Sequence, residues 1–228
     1  MTTSSRTSFP TRFTRIDDLT RPDHYHLGQD DECYFLGEYT ARAGWSHSAT
    51  NQLIFNLKKP LSHRGRSDWR YKSIAIAQAG EALRAGFQPD VLSEHRPTLV
   101  PIPPSKARTD PLYDDRMLQV LSEMCNGMQC DIRELVLQQS STVAAHETDS
   151  RPGPADLVAN YVIEETLASP EPQLIFVFDD VLTTGAHFRA VKQVLLSRFP
   201  SAELIGFFVA RRVPQTVDVE AFLPTDGS

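Results

Sequence analysis

Long apolar runs are missing from this 228-residue chain, and cysteines are few. Without a long apolar stretch we expect neither a signal peptide nor a membrane helix, which needs about 20 apolar residues. The three cysteines, Cys33, Cys125 and Cys130, show no paired spacing, which argues against a disulfide scaffold and favours the reducing cytoplasm. An excess of positive charge is also missing: the formal net charge is -6, so no electrostatic argument points to nucleic acid. A nucleic-acid or protein partner stays an open alternative.

Acidic residues are absent from the first sixteen positions, which are rich in Ser, Thr and Arg. That composition also occurs in transit peptides, but we interpret it as part of a disordered tail. The length of the chain favours one ample core with an appendage over two full domains. We therefore expect four segments: a disordered tail at 1–30, a helical N-terminal region at 31–97, the core at 98–213 and a C-terminal tail at 214–228.

Three residues near the N-terminus, His24, His26 and Cys33, are of types that bind metal ions. No fourth ligand lies near them in the sequence, and a structural metal site needs four. We therefore interpret them as ordinary loop residues and keep a metal site as the weaker alternative.

The most informative stretch is an apolar run at 174–178 that ends in two adjacent acids, Asp179 and Asp180. A short apolar run bounded by a turn is typical of a buried central strand in a parallel sheet. The segment at 188–199 then has apolar residues at helical spacing. Because ligands bind outside the carboxyl ends of strands in open parallel sheets, we expect the chemistry at this turn.

The turn itself is made of small residues: Thr183, Thr184, Gly185 and Ala186. Gly185 can adopt backbone angles that a side chain forbids, so the loop can fold closely around an anion. Its amides would lie at the N-terminus of the next helix, where phosphate is favoured. Each hydrogen bond to a charged phosphate contributes about 1.5–3 kcal/mol. The sequence therefore predicts a phosphate site in this turn.

The two acids cannot contact that phosphate favourably, because like charges repel. We expect them to accept hydrogen bonds from the hydroxyls of an attached ribose. Successive strand residues point to opposite faces, so both acids reach one sugar only if the chain already turns at Asp180. The alternative is a surface turn whose acids are merely solvated. A Walker loop would need a glycine run ending in Lys-Ser/Thr, and a haloacid-dehalogenase site would need an acid where Val181 stands.

Residues 178–186, Phe-Asp-Asp-Val-Leu-Thr-Thr-Gly-Ala, resemble the phosphoribosyl pyrophosphate signature of type I phosphoribosyltransferases. The chain is most similar to the ComF-like and amidophosphoribosyltransferase-like group. The resemblance covers about 98–213 and implies an α/β fold, with a parallel twisted sheet flanked by helices and an N-terminal hood that selects the acceptor. A homodimer is one possible assembly.

In that family the acid pair binds the ribose 2- and 3-hydroxyls, which implies this role for Asp179 and Asp180. The loop that wraps the 5-phosphate corresponds here to Val181, Leu182, Thr183, Thr184, Gly185, Ala186 and His187. The chain departs from the family at His187, where Thr or Ser is usual. An imidazole can still donate a hydrogen bond, but it is bulkier and it titrates.

A second candidate loop follows a strand predicted at 98–102. Phosphoribosyl transfer expels pyrophosphate, so an enzyme needs cationic or backbone donor groups beside that leaving group. The segment at 100–106 resembles the pyrophosphate loop of the ComF family, which implies that Ser105 and Lys106 bind the pyrophosphate. The alternative is a proline-rich linker in which the basic residues are incidental.

These resemblances imply a magnesium-dependent phosphoribosyltransferase that acts on a small phosphorylated ribose, phosphoribosyl pyrophosphate. Lys106, Asp179 and Asp180 would be its catalytic residues, and Mg²⁺ would be held mainly by the ligand and by water near the two acids. The sequence does not reveal the acceptor. The alternative is a non-catalytic binding protein that keeps the fold and acts as a regulator or as an accessory in nucleic-acid handling. A metal-dependent phosphatase is a remote third option.

Other basic residues lie beside predicted helices. Lys58 and Lys59 end a helix predicted at 48–59, and Arg116 precedes the apolar stripe of another at 117–128. The two lysines could face the pyrophosphate, and Arg116 could face the site. We favour the simpler interpretation that the lysines stabilise the C-terminus of their helix and that Arg116 is solvated.

A helix is also expected at 71–83 and a strand at 203–210. Between the two candidate loops, the segment at 137–154 is long, polar and poor in structure signals. In the family a flexible loop in this interval closes over the reacting centre, which implies that His146 and Arg151 reach the ligand. An ordinary mobile loop is the alternative, and a helix is expected to follow at 155–165.

Overall fold

A computed structural model, which describes residues 8–141 and 152–214, contains a six-stranded sheet and a separate two-stranded one. The strands are β1 (Thr14–Arg15), β2 (Cys33–Thr40), β3 (Thr98–Pro101), β4 (Asp131–Ile132), β5 (Val136–Gln138), β6 (Tyr161–Ile163), β7 (Leu174–Leu182) and β8 (Glu203–Val213). The α-helices are α1 (Ala49–Leu57), α2 (Arg70–Gly86), α3 (Val91–His95), α4 (Arg116–Met124), α5 (Pro154–Asn160) and α6 (Ala186–Arg198). None of these helices is long and apolar enough to cross a bilayer.

The large sheet has the strand order β1-β2-β8-β7-β3-β4. Every pairing from β2 to β4 is parallel, and β1 joins the edge in the antiparallel direction. The prediction of an α/β protein with a mostly parallel sheet flanked by helices is therefore confirmed. β7 lies between β3 and β8, and its sequence is almost continuously apolar because a central parallel strand is covered on both faces.

Alternate residues of β7 enter two different hydrophobic clusters. Ile175 and Val177 belong to the cluster that α5 and α6 cover, together with Phe188. Phe176 and Phe178 belong to the cluster on the opposite face, which α1, α2 and α4 cover. The face to which each residue of β7 points therefore decides which set of helices it meets, and this holds for the two acids that follow.

Gly80 allows α2 and α4 to pack closely. A Cβ at this position would lie 2.9 Å from both the backbone nitrogen of Met124 and the carbonyl oxygen of Val120. These backbone atoms cannot move aside as a flexible side chain could, so the crossing requires glycine.

The predicted helices are present in the structure, but their first and last residues differ from the predictions. α1 begins after Ser48, whose hydroxyl oxygen accepts the backbone N–H of Asn51 at 3.0 Å as an N-cap. α2 extends three residues beyond its predicted end, to Gly86, and α4 ends at Met124 instead of reaching 128. The predicted helix at 155–165 is wrong beyond Asn160, because the next three residues form β6 and pair with β5.

Two predictions about the N-terminal part are wrong. A disordered tail was expected at 1–30, but Thr14 and Arg15 pair with β2 and Ile16 is only 1% exposed. Residues 1–7 lie outside the described part. The region at 31–97 contains α1, α2 and α3, as a helical region should, but it is not separate from the core, because β2 lies inside the large sheet and pairs with β8 over most of its length. The sheet therefore takes strands from both sides of the predicted boundary at 98.

Candidate functional site

The candidate site is a cleft of about 230 Å³ at the carboxyl ends of the central strands. β3 ends at Pro101, opposite Phe178, whereas β7 continues to Leu182. Beyond Phe178, β7 therefore has a neighbouring strand only on the β8 side, and the chain leaving β3 forms the other wall. In chain order β3 is followed by β4, which lies on the side of β3 away from β7. β7 is followed by β8, which lies on the side of β7 away from β3. The cleft thus lies at a topological switch point, where open parallel sheets bind ligands.

Asp179 and Asp180 both line this cleft, as predicted. The predicted end of their strand at 178 is wrong, because β7 runs through both acids to Leu182. Their side chains leave opposite faces of the strand. Both still reach one cleft because the adjacent strand β3 has already ended, so no turn at Asp180 is needed.

Two cations hold Asp180. Its Oδ1 accepts a hydrogen bond from the Nζ of Lys58 at 2.9 Å, and its Oδ2 accepts from the Nε and Nη2 of Arg116 at 2.8 and 2.5 Å. Only 3% of the Asp180 side chain is exposed. Burial opposes the ionised form, but the charges of Lys58 and Arg116 hold the pKa of Asp180 well below its usual range. Asp180 is therefore a permanent carboxylate with both oxygens engaged.

Asp179 has the opposite character. Burial, and then the neighbouring charge of Asp180, raise the pKa of Asp179 to about 7, although Lys58 acts against them. Its Oδ1 accepts the backbone N–H of Asp180 at 2.7 Å. Within residues 8–141 and 152–214, no side chain donates a hydrogen bond to it. Asp179 is thus the acid of the pair that has capacity left for a ligand.

A chain of charges extends from Asp180 into the protein. The Nη1 of Arg116 donates to the Oδ2 of Asp114 at 3.1 Å, and the same oxygen accepts from the Nζ of Lys72 at 2.8 Å. Lys72 is 2% exposed, and burial lowers its pKa against the effect of Asp114. Cations and carboxylates therefore alternate from the cleft to the interior, which is how a protein tolerates buried charge.

Lys72 also fixes the backbone beside the cleft. Its ammonium donates to the carbonyl oxygens of Leu57 at 2.7 Å and Lys59 at 3.1 Å, which lie on either side of Lys58. These carbonyls are at the end of α1, where backbone acceptors lack a partner within the helix. The position from which Lys58 reaches Asp180 is thus set by a buried lysine of another helix.

The interpretation of Arg116 as a solvated side chain is therefore wrong, and Lys58 and Arg116 both line the cleft. That Lys58 faces a pyrophosphate there stays a prediction. α1 ends at Leu57, so Lys58 leaves the helix and turns into the cleft. Lys59 turns away: its Nζ contacts the carbonyl oxygen and the Oδ2 of Asp68, each at 3.0 Å. A signal for Arg116 existed, because a cation at a helix N-terminus is unfavourable unless a carboxylate neutralises it.

The turn after β7 is the predicted phosphate loop. Gly185 has φ +85°, and a Cβ there would lie 2.9 Å from the side chain of Leu27, so glycine is required. α6 begins at the next residue. In the described part of the chain, the backbone N–H groups of 183–187 donate to no protein acceptor. A phosphate at this helix N-terminus would satisfy them.

The predicted loop residues divide into two groups. Val181, Thr183 and His187 line the cleft. Leu182, Thr184, Gly185 and Ala186 are buried, and their contribution to a ligand would come from the backbone.

The N-terminal segment holds this loop from behind. The Nδ1 of His24 donates to the carbonyl oxygen of Thr183, and the backbone N–H of His26 donates to that of Thr184 at 3.0 Å. Burial lowers the pKa of His24, which keeps the ring neutral. The loop carbonyls are thus bonded on the protein side. The sequence analysis assigned no role to these histidines; Cys33, their partner in the weaker metal hypothesis, is buried in β2.

His187 stands where the signature that the sequence resembles usually has Thr or Ser, and burial disfavours its charged form. Its Nδ1 lies 2.8 Å from the hydroxyl oxygen of Tyr161, at the start of β6. Burial and then the charge of Lys58 lower the pKa of His187 to about 4. The ring therefore acts near neutral pH as a polar side chain tied to Tyr161, and it does not titrate there.

The predicted pyrophosphate loop forms the wall opposite the acids. Ser105 lines the cleft, but Lys106 does not belong to its lining. The Nε2 of Gln138 in β5 donates to the Ser105 carbonyl at 2.6 Å, which ties this loop to the small sheet. The sequence analysis missed Tyr113 and Glu134 on the same wall, where the Tyr113 hydroxyl donates to the carboxylate. His146 and Arg151, which were expected to close over the ligand, lie outside the described residues.

The described residues contain no group of three or more His, Cys, Asp or Glu side chains that could hold a metal ion. A metal at this cleft would therefore take only one or two protein carboxylates, which is how proteins hold Mg²⁺ together with substrate phosphates. Asp179 fits that role, because burial and the charge of Asp180 raise its pKa, and a cation beside it would favour the ionised form.

No family model and no curated protein matches this chain. The function is therefore inferred from the residues of the cleft and from their geometry.

Proposed function

We propose that the protein binds phosphoribosyl pyrophosphate with Mg²⁺, on a type I phosphoribosyltransferase fold, and transfers the phosphoribosyl group to an acceptor with release of pyrophosphate. One observation carries the proposal: an acid pair and a glycine turn with unpaired amides share one cleft at the switch point of a parallel sheet. A carboxylate pair suits the hydroxyls of a pentose, and an amide loop at a helix N-terminus suits its phosphate.

The charges of the cleft support this assignment. Lys58 and Arg116 bring to the cleft two cations that the sequence analysis did not favour as site residues. Departure of pyrophosphate leaves an oxocarbenium-like sugar, so the reaction gains from positioned charges more than from proton transfer. Asp179 and Asp180 beside the ribose would favour the positive charge that develops there. The absence of an assigned general base is therefore compatible with catalysis.

Mg²⁺ fits these residues as an ion carried largely by the substrate, with Asp179 as its protein ligand. When bound, it would neutralise charge on the diphosphate and help it to leave. The chain's own part is to hold the pentose with Asp179, to cradle the 5-phosphate with the backbone of 183–187, and to present Ser105 to the diphosphate.

Calorimetry with ribose 5-phosphate and with phosphoribosyl pyrophosphate, with and without Mg²⁺, tests the proposal. We expect both ligands to bind, and Asp179→Asn to weaken binding about tenfold or more, the loss of a charge-assisted hydrogen bond. Asp131→Asn is the matched control, because this acid lies at the opposite end of β3, 2.7 Å from the hydroxyl of Thr98. Failure of the wild-type protein to bind any phosphorylated ribose would refute the proposal.

Pyrophosphate release across a panel of bases, amines and water separates enzyme from binding protein. We expect Mg²⁺-dependent release with at least one acceptor. Tight binding without release for every acceptor would instead favour the non-catalytic alternative, for which the position of Lys106 outside the cleft lining is the supporting observation.

Ligand affinity should depend on pH through Asp179. Because the pKa of Asp179 is about 7, its ionised fraction increases as the pH rises, and the ionised form is the better acceptor for hydroxyl donors. We expect the affinity for ribose 5-phosphate to rise about tenfold from about pH 6 to about pH 8. His187, with its pKa of about 4, stays neutral throughout.

The phosphate of the ligand also titrates near pH 6 and contributes in the same direction. The control for this term is Asp179→Asn, which retains the phosphate and lacks the carboxyl. Calorimetric titrations at several pH values should show a clearly steeper dependence for the wild-type protein. Equal slopes for the two proteins would contradict the assignment.

A further inference from the structure

We propose that Lys58 determines which pentose phosphate the cleft prefers: it leaves Asp180 for the diphosphate, so that the diphosphate-bearing pentose binds better than ribose 5-phosphate. This inference rests on the proposed function and deepens it. It assigns Lys58 a role as a specificity residue, which neither the acid pair nor the phosphate loop can fulfil, because both ligands contain the same ribose and the same 5-phosphate.

Asp180 has little capacity to accept further hydrogen bonds from a ligand. Its Oδ2 is bonded twice to Arg116, and its Oδ1 is bonded to Lys58 at 2.9 Å. A ribose hydroxyl that approaches Asp180 therefore competes for an oxygen that already has a cationic partner. Full use of Asp180 by a ligand requires one of the two cations to move.

Of the two cations that hold Asp180, Lys58 is the one that can move. Arg116 is bound at two atoms of Asp180 and also to Asp114, so its guanidinium is fixed on both sides. Lys58 makes one ion pair in the described part of the chain, and its side chain is 43% exposed. A half-exposed single ion pair contributes little stability, and a lysine stem is flexible. The side chain of Lys58 is the movable element, while Lys72 holds its backbone.

The diphosphate of the ligand is the new partner of Lys58 in this inference. Five acids and two cations line the cleft: Asp114, Asp115, Glu134, Asp179, Asp180, Lys58 and Arg116. A diphosphate entering so acidic a cleft needs a cation that is not already committed to two partners. Lys58 lines the same cleft as Ser105 of the pyrophosphate wall. The diphosphate can therefore replace Asp180 as the partner of Lys58, whereas ribose 5-phosphate has only a neutral hydroxyl at that position.

The difference between the two ligands follows. With the diphosphate, Lys58 exchanges one anionic partner for another and Asp180 becomes available to the ribose. With ribose 5-phosphate, the displaced ammonium has no new anionic partner on that side, or Asp180 stays blocked. Specificity is a difference between two binding free energies, and Lys58 contributes to that difference with opposite signs for the two ligands.

Calorimetry of wild-type protein and Lys58→Met with both ligands at one Mg²⁺ concentration tests this. We expect Lys58→Met to weaken phosphoribosyl pyrophosphate binding about 30-fold, and to leave ribose 5-phosphate binding unchanged or a few-fold tighter. Lys58→Arg should keep the preference for the diphosphate. Arg64→Met, which removes an exposed cation of the same connecting segment outside the cleft lining, should change neither affinity by more than about twofold.

Equal weakening of both ligands by Lys58→Met would overturn the inference, because Lys58 would then be a general anion-binding residue. No change for either ligand would overturn it as well. Binding of neither ligand to the wild-type protein would be a different result, since it refutes the proposed function itself. Thermal unfolding of Lys58→Met establishes that the variant is folded before its affinities are compared.

Discussion

Asp180→Asn is expected to lower the free energy of unfolding by about 3 kcal/mol, although the neighbouring Asp179→Asn is expected to raise it. Asp180 neutralises Lys58 and Arg116, and its own side chain is 3% exposed. An amide in its place leaves the buried charge of Arg116 with Asp114 as its one remaining carboxylate hydrogen-bond partner among the described residues. Removing one partner of a buried ion pair is strongly destabilising because the remaining charge has lost its solvent as well.

The opposite sign at Asp179 follows from linkage. Its pKa is raised from 3.8 to about 7 in the folded protein, so folding favours the protonated form. The stability of the wild-type protein therefore falls as the pH rises from about 4 to about 7, and an uncharged Asn avoids this loss. At about pH 8 we expect Asp179→Asn to gain about 2 kcal/mol, and the gain should shrink toward about pH 4.

Urea unfolding of both variants and the wild-type protein over this pH range measures the two effects. For Asp180 the sign is reversed: its lowered pKa contributes stability above about pH 4 that is lost only in stronger acid. Asp131→Asn again serves as the control, because its side chain is 40% exposed. Equal destabilisation by both substitutions would contradict this difference, in which ion pairs stabilise the carboxylate of Asp180 and folding disfavours the carboxylate of Asp179.

The local parts of this site could be predicted from the sequence. The apolar run of β7, the acid pair and Gly185 lie within twelve residues. The structural role of each can be predicted from the residues next to it in the sequence. A buried strand needs apolar residues on both faces, and a left-handed turn needs glycine, whatever the rest of the chain does. The position of the acids at the mouth of a parallel sheet follows from these local facts.

The partners of the acids could not be predicted in the same way. Arg116 is 64 residues from Asp180, and His24 is 159 residues from Thr183. Which cation meets which carboxylate depends on the packing of α4 against β3 and β7, and no periodicity encodes it. Lys58 illustrates the difficulty: at a helix end, a lysine that stabilises the dipole and a lysine that enters a cleft have the same sequence signature.

The misplaced domain boundary has a related cause. β2 is eight residues of mixed character, and it becomes a central-sheet strand only because β8, far along the chain, pairs with it. Strand propensity is weak without knowledge of the neighbouring strand. The same holds for β6, which was interpreted as the end of a helix and forms a strand because β5 lies beside it.

Lys72→Met is expected to lower the free energy of unfolding by about 3 kcal/mol, the second large effect. The substitution removes a cation that is 2% exposed and donates to Asp114 and to two carbonyl oxygens, those of Leu57 and Lys59. Methionine fills a similar volume, so the loss reflects the abandoned acceptors and not a cavity. Chemical denaturation measures it, and the exposed Arg64→Met should change stability by less than about 0.5 kcal/mol.

The double variant Lys72→Met/Asp114→Asn decides whether the loss comes from the charge of Asp114 or from the α1 carbonyls. If the carboxylate dominates, Asp114→Asn removes a buried charge that has lost Lys72 and keeps only Arg116 as its cationic partner in the described part of the chain. The double variant should then recover about 1–2 kcal/mol relative to Lys72→Met. If the carbonyls dominate, no recovery follows, and the end of α1 should loosen instead. Because Lys58 leaves the backbone between those two carbonyls, that second outcome would also weaken phosphoribosyl pyrophosphate binding, and it would link the buried lysine to the cleft through the backbone of α1.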